Sequence, residues 1–295
     1  SLDILARVIS DARPTGGVAC LDVDWRPAWR VALVPSYKTH RVAVTEPGQP
    51  PTANRTGTVL GSTVGAAPGP VAELEPDELT PQVPVLLEVL RAIGIPLAGA
   101  DGCEADDVIG TLATREVRQP VEVVSGDRDL FQVVRCTPTP VTVRYIGAGM
   151  TKVQIMDVAS LRERYGVDGP GYAAMATLRG DPSDGLPGVT GIGEKTAADL
   201  IGRFGSVDAL LAAATDPTAA LPPAVRGKLA AAGDYLPAAV QVVQVRTDAD
   251  VQIDPSAGTT DLPSEPVDRA SLESLADRYG LGGSLDRLLS ALADR

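Results

Sequence analysis

Gly180-Asp181-Pro182-Ser183-Asp184-Gly185-Leu186-Pro187-Gly188-Val189-Thr190-Gly191-Ile192-Gly193-Glu194-Lys195 sets two carboxylates immediately before a turn rich in glycine and proline. Pro and Gly punctuate two helical stretches here, and Gly193 opens the second at Glu194. Such a hairpin lets backbone N–H groups and a helix N-terminus approach a phosphate closely without reading base identity. Taken alone, a Gly-Xaa-Gly is weak, and a plain helix–helix turn explains it as well. The acids upstream change that balance.

Two further segments repeat the association of acids with an apolar element: Gly102-Cys103-Glu104-Ala105-Asp106-Asp107 and Ser125-Gly126-Asp127-Arg128-Asp129-Leu130. Asp22 follows the apolar run Val18-Ala19-Cys20-Leu21. Each cluster borders a strand-like or helical segment, so the carboxylates fall at the rim of a core. Converging carboxylates repel and are costly to desolvate, and a cation normally offsets both effects. Oxygen-only ligands point to Mg²⁺ or Mn²⁺ rather than zinc. Helix caps and surface charge are the alternative reading of any one cluster, but a concordant set is much harder to explain that way. Joined to these acids, the hairpin reads as a helix-hairpin-helix that grips DNA. Arg179 and Arg203 flank it, and phosphate contact and plain surface placement explain them equally well.

The rest of the composition narrows the classes. At 295 residues the chain can bury one large core or two small ones, and its 44% apolar content is ordinary for a globular protein. No apolar run approaches the length that spans a bilayer, so no membrane role is expected. The start lacks a basic and apolar leader pattern, which predicts a cytoplasmic protein. Cys20, Cys103 and Cys136 are odd in number and widely spaced, and read as reduced thiols. His40 is the single histidine, which excludes histidine triads and zinc-hydrolase motifs. A net charge of −12 argues superficially against a nucleic-acid partner. Much of that charge sits in the acid clusters, however, where bound cations would neutralise it.

Along the chain, 2–9 has helical spacing, 18–23 reads as a buried strand, and 83–93 is helical with Gly94 as its C-cap. A short strand over 95–98 precedes the first acid cluster, and a helix over 107–115 places Glu104 and Asp106 near its N-terminus. Strands follow over 121–124 and 141–145. Strand and helix in alternation imply a parallel α/β sheet, with ligands outside the carboxyl ends of the strands, where Asp22 and Asp127 fall. Residues 45–81 carry many helix breakers and no sustained period, so they read as a loop or as disordered. Beyond Asp157 the pattern turns helical. Trp25 and Trp29 read as packing beneath the basic loop that follows them.

Glu104-Ala105-Asp106-Asp107, Gly126-Asp127-Arg128-Asp129-Leu130 and the run from Gly180 to Lys195 together resemble the 5′-nuclease superfamily. That group includes the flap endonucleases and the 5′–3′ exonuclease domain of bacterial DNA polymerase I. Asp22, with Tyr37-Lys38 and Arg41, matches the family's second strand and the basic stretch after it. The resemblance implies a PIN-like, mostly parallel sheet flanked by helices, followed by a helical helix-hairpin-helix (H2TH-type) subdomain. It divides the chain into a catalytic domain at 1–158 and a DNA-binding domain at 159–295.

The resemblance also implies a pair of Mg²⁺ or Mn²⁺ ions roughly 3.5–4 Å apart. Asp22, Glu104, Asp106 and Asp107 would hold one, and Asp129, Asp181 and Asp184 the other, with Asp127 near both. Lys38 and Arg41 match positions that hold the scissile phosphate. Gly188, Gly191, Gly193 and Lys195 would face duplex DNA, with a K⁺ ion at the hairpin as in relatives. The expected partner is DNA with 5′ flaps or 5′ ends, without an organic cofactor, and a monomer is expected.

Two departures from the family pattern stand out. The family begins with an apolar strand ending in an aspartate, whereas Ser1 already stands in the helix that follows. Truncation explains this better than evolved loss, because removing a central strand exposes ladder groups and apolar faces. It also predicts a slot flanked by the strands that end at Asp22 and Asp127. Residues 45–81, where relatives carry an arch, hold only Arg55 as a basic residue. A non-catalytic DNA-junction-binding protein with an incomplete first metal site is therefore the alternative function. An RNase of the related PIN-like fold is weaker still, since those domains usually lack the 180–195 hairpin.

Overall fold

The computed structural model describes residues 1–42, 81–254 and 259–295. The expected arch segment, 45–81, lies outside the described residues apart from Pro81. In chain order the first elements are α1 (Leu2–Ala12), β1 (Ala19–Cys20), α2 (Ala28–Leu33), α3 (Gln82–Ile93), β2 (Leu97–Gly99) and α4 (Ala105–Arg115). Then come β3 (Val121–Ser125), β4 (Val141–Tyr145), β5 (Gln154–Met156), α5 (Val158–Tyr165), α6 (Gly169–Arg179) and α7 (Glu194–Phe204). The remainder are α8 (Val207–Thr215), α9 (Pro223–Ala231), α10 (Leu236–Val243), β6 (Gln252–Ile253), α11 (Arg269–Tyr279) and α12 (Gly282–Ala293).

The elements gather into two compact units. One comprises Ser1–Trp25, Arg41–Val108 and Asp250–Arg295, the other Arg26–His40 and Ile109–Ala249. In the first, Leu2, Ala6 and Ile9 fall on one face of α1 at helical spacing. They share a core with Leu90 and Ile93 of α3, Leu272 of α11, and Leu285, Leu288 and Leu292 of α12. Gly94 closes α3 at φ 96, as its place after the periodic stretch predicts. The buried strand β2 pairs in parallel with β1, Ala19 opposite Leu97, and antiparallel with β6, Ala98 opposite Ile253.

In the second unit β3 and β4 run parallel, Val121 opposite Val141, and β5 adds antiparallel to β4. Val123, Val141 and Val143 face a core that includes Phe131, Leu161, Tyr172 and Leu178. Phe131, Tyr165 and Tyr172 meet with ring centroids 5.2–6.2 Å apart, two of the three pairs edge to face. The same core takes in Val189 and Ile192, so the glycine-rich turn is anchored by its own apolar residues.

The fold is thus mixed α/β, with small sheets flanked by helices and a helical portion from α5 to α10. Each sheet holds one parallel pair and an antiparallel outer strand. Among the described residues β1 and β3, which lead to Asp22 and Asp127, are end strands of separate three-stranded sheets. Acids follow the carboxyl ends of β1, β2 and β3, where parallel sheets present their loops.

Candidate metal centre and nucleic-acid interface

The first acid group forms around the start of α4. Asp22 lies two residues past β1, and its Oδ1 accepts the N–H of Ala105 at 2.7 Å. Asp107, fully buried, accepts the Glu104 N–H at 3.2 Å, a return bond that satisfies a donor the helix leaves open. Glu104 is 5% exposed, and Asp106 is half-buried in the first helical turn. The helix N-terminus favours this negative charge. Burial and the charge of Asp106 push the Cys20 thiol up to about 12, which places Asp106 beside the end of β1. Asp22, Glu104, Asp106 and Asp107, scattered over 86 positions of sequence, are therefore brought to one helix end.

The second group lines a cleft of about 330 Å³ bounded by Gly126, Asp127, Arg128, Asp129, Tyr145, Arg179, Asp181 and Ser183. Two turns set the acids. Asp127 accepts the Asp129 N–H at 2.8 Å, and Asp181 accepts the Ser183 N–H at 2.8 Å. Asp181 and Leu186 exchange backbone hydrogen bonds at 2.8 Å, closing the turn that carries Asp184. Burial raises the Asp129 carboxyl most, the charges of Asp127, Asp181 and Asp184 raise it further, and together they bring it to about 7. Arg179 acts in the opposite direction.

The donor set fits a divalent cation by its chemistry: oxygen only, strongly negative, and with a carboxyl whose ionisation the site itself resists. Among the described residues no three acidic, histidine or cysteine side chains stand close enough to enclose an ion as they are. Asp127 and Asp181 each use Oδ1 to accept a backbone amide, and the second oxygen of each carboxylate is the one that would ligate an ion.

Lys38 joins the second group. Its N–H donates to the Asp184 carbonyl at 2.9 Å, and Gly185, at φ 70, packs against the Ser36 carbonyl. Lys38 itself lies at φ 49, a conformation unfavourable for a side-chain-bearing residue. The loop is therefore fastened to the acidic turn through backbone. Arg41 ends the short 3-10 turn Thr39–Arg41, half-buried. Before that loop, Arg30 is buried, stacked 4.5 Å from the Trp29 ring and donating to the Val242 carbonyl at 3.1 Å. Trp29 thus meets its neighbour Arg30.

The hairpin between α6 and α7 has an inner and an outer side. Leu186, Val189 and Ile192, three apart, are buried, while Thr190, Gly191 and Gly193 are exposed. Gly188 belongs inside: its N–H donates to the Tyr235 hydroxyl at 3.3 Å, and a Cβ would collide with the backbone of Arg179 and Gly180. Gly193 caps α7 on the outside, and a Cβ there would meet nothing within 4 Å. Lys195 is exposed in the first turn of α7.

Arg203 turns toward protein, donating to the Ala220 carbonyl at 2.6 Å. Arg179 also turns inward, pairing with Glu194 at 3.1 Å. Lys228 of α9 was missed by sequence reasoning: its ammonium donates to the Gly191 carbonyl at 2.8 Å. No local pattern links residues 37 apart, and only its charge within an Ala-rich helix could have drawn notice.

These two sides predict opposite outcomes. Gly188→Ala should destabilise by more than about 1–2 kcal/mol, the cost of a left-handed conformation alone. Gly193→Asn should keep full stability, since Asn is a good helix N-cap. It should nevertheless weaken duplex DNA binding by filling the open backbone surface. Urea unfolding and fluorescence anisotropy separate the two. Unchanged DNA affinity in Gly193→Asn would make the hairpin purely structural.

Residues 1–166 match the family described as 5′–3′ exonuclease, N-terminal resolvase-like domain, and residues 167–269 match 5′–3′ exonuclease, C-terminal SAM fold. A 5′–3′ exonuclease of Streptomyces coelicolor is 50% identical over 291 residues, covering 99% of this chain and 88% of its own. One of Mycobacterium tuberculosis is 49% identical over 296 residues, covering 99% and 86%. DNA polymerase I of Mycobacterium tuberculosis is 36% identical over 98% of this chain, which spans 28% of the polymerase. Among solved structures, a bacteriophage T5 flap endonuclease in a pseudo-enzyme–product complex with DNA and metal ions superposes with a TM-score of 0.56. Its identity is 15%, over 99% of this chain and 88% of that one, and the likeness is one of fold. The chain belongs to the 5′–3′ exonuclease family.

Proposed function

We propose that the chain is a divalent-metal-dependent nuclease that hydrolyses DNA at 5′ flaps and 5′ ends, with little sequence preference, in replication and repair. The observation that carries this reading is the half-buried Asp129 among Asp127, Asp181 and Asp184, on a cleft lined by Asp181 and Ser183, which lead along the chain into the glycine hairpin. Family membership supplies the reaction class. Asp22, Glu104, Asp106 and Asp107 in one unit, and Asp127, Asp129, Asp181 and Asp184 in the other, are the residues that would hold Mg²⁺ or Mn²⁺. Such ions, when bound, supply positive charge for the scissile phosphate and acidify a water. Lys38, fastened beside Asp184, orients the phosphate and offsets charge that develops on it, with Arg41 as its companion.

Gly191, Gly193 and Lys195 offer backbone and charge to the duplex phosphates, which fits binding that ignores sequence. Lys228 already sets a cation on the Gly191 carbonyl, and a K⁺ ion is the further cation we assign to this hairpin. We assign catalysis chiefly to 1–158 and DNA gripping to 159–295, in a monomer acting in the cytoplasm. Among the described residues no helix is long and apolar enough to cross a membrane.

A panel of labelled substrates tests the selectivity: a 5′ flap, a 3′ flap, blunt duplex and single strand, each with Mg²⁺ or Mn²⁺. The 5′ flap and recessed 5′ ends should be cut and the 3′ flap spared. Equal cutting of all four would remove the structural selectivity. Tight flap binding with no cutting under either metal would favour a junction-binding role.

A further inference from the structure

Arg179, the last residue of α6, is shared between two sets of acids. Its side chain is 17% exposed and lines the cleft with Asp127 and Asp129. One terminal nitrogen donates to Glu194 at 3.1 Å, the other stands 4.0 Å from Asp181 Oδ2, and Nε donates to the Gly180 carbonyl at 3.2 Å. Its charge lowers the Asp129 carboxyl against the burial and repulsion that raise it. The nearer partner, Glu194, is the more exposed at 45%, and Asp181 is the more enclosed at 24%. Solvent screens the first attraction more strongly than the second, so distance and dielectric act in opposite directions. Tyr172 also stands beside the guanidinium; of the two acids, Glu194 makes the direct hydrogen bond and Asp181 the longer contact.

We propose that Glu194 is a positioning residue for the metal site: it holds Arg179 at the rim of the cleft. There the guanidinium steadies the like-charged carboxylates without occupying the place of a divalent ion. The proposal rests on the metal reading given above. Without the Glu194 charge, Arg179 is drawn to Asp181 and Asp129 and competes with the cation for the same oxygens. Without Arg179, Glu194 has nothing to position.

A double-mutant cycle on the full chain tests this, with Mn²⁺ affinity read by titration calorimetry or by the electron-spin signal of free Mn²⁺. Glu194→Gln should weaken Mn²⁺ binding about 3- to 5-fold, the range of a partly exposed ion pair. Arg179→Met should bind Mn²⁺ at least as tightly as wild type. Glu194→Gln added to Arg179→Met should change nothing. If the glutamine variant merely loosened the start of α7, its effect would persist without Arg179, and that result overturns the proposal, as does a Glu194→Gln affinity equal to wild type. Asp181→Asn serves as the reference. If wild type binds no Mn²⁺, or Asp181→Asn binds it equally well, the metal reading itself falls and takes this proposal with it.

Discussion

Asp129→Asn is expected to abolish cleavage and, in the absence of metal, to raise the melting temperature at pH 8. Both effects have one cause. Burial and the charges of Asp127, Asp181 and Asp184 raise this carboxyl to about 7, well above its ordinary 3.8. Between those values the folded protein holds a proton that the unfolded chain has released, so metal-free stability falls as pH rises from about 4 to 7 and then levels off. Asparagine removes the ionisation and the repulsion together. In EDTA the wild-type melting temperature should therefore drop between pH 5 and pH 8, and the variant's should drop less. With wild type at pH 8, Mg²⁺ at 100 times its Kd would add about 2.7 kcal/mol by linkage. The variant should lose most of that gain and about 10³-fold or more in rate, by analogy with the loss of a transition-state charge contact. A wild-type melting temperature indifferent to both pH and Mg²⁺ would mean that the four acids do not act as a cluster.

Lys38→Ala should lower the cleavage rate about 10²-fold while changing DNA affinity only slightly. The structure explains why this substitution isolates the charge. The loop is fastened by the Lys38 N–H to the Asp184 carbonyl and by Gly185 against Ser36, and alanine keeps both contacts. One phosphate contact is a small part of the total electrostatic binding, whereas the proposed role of the ammonium, 5.2 Å from the Tyr37 ring centroid, is at the scissile phosphate. Single-turnover cleavage with Mg²⁺, set against flap binding in EDTA, gives the separation. A variant that loses affinity and rate in equal measure would make Lys38 a binding residue only.

Much of this architecture was legible in the sequence because it is written in local pattern. Period and caps mark α1, α3 and α4, with Gly94 at the end of α3 and the Glu104–Asp107 bond at the start of α4. Apolar runs mark β3 and β4, and the acids after β3 mark the cleft. What sequence hides depends on partners far along the chain. Arg30 carries no local mark of burial; the Val242 carbonyl, 212 positions along the chain, receives it. The two-residue β6 has no alternation to read, and only its pairing with β2 defines it. α11 and α12 complete the core of α1 and α3 at the other end of the chain. At the candidate site, the hairpin glycines were visible as a group, but their division was not. Gly188 is internal and Gly193 external because of where Tyr235 and α6 pack. Arg179 likewise shows as a flanking charge in sequence and as an internal counter-ion in space.

The central claim is that these carboxylates serve phosphodiester hydrolysis through a divalent ion. Its most direct test is single-turnover cutting of a labelled 5′-flap duplex, after EDTA treatment and after return of Mg²⁺ or Mn²⁺, by wild type and by Asp181→Ala. The account predicts no cutting in EDTA, recovery at the flap base with either ion, and a silent variant that still binds the flap. Cutting that persists in EDTA, or an Asp181→Ala variant as fast as wild type, would contradict it.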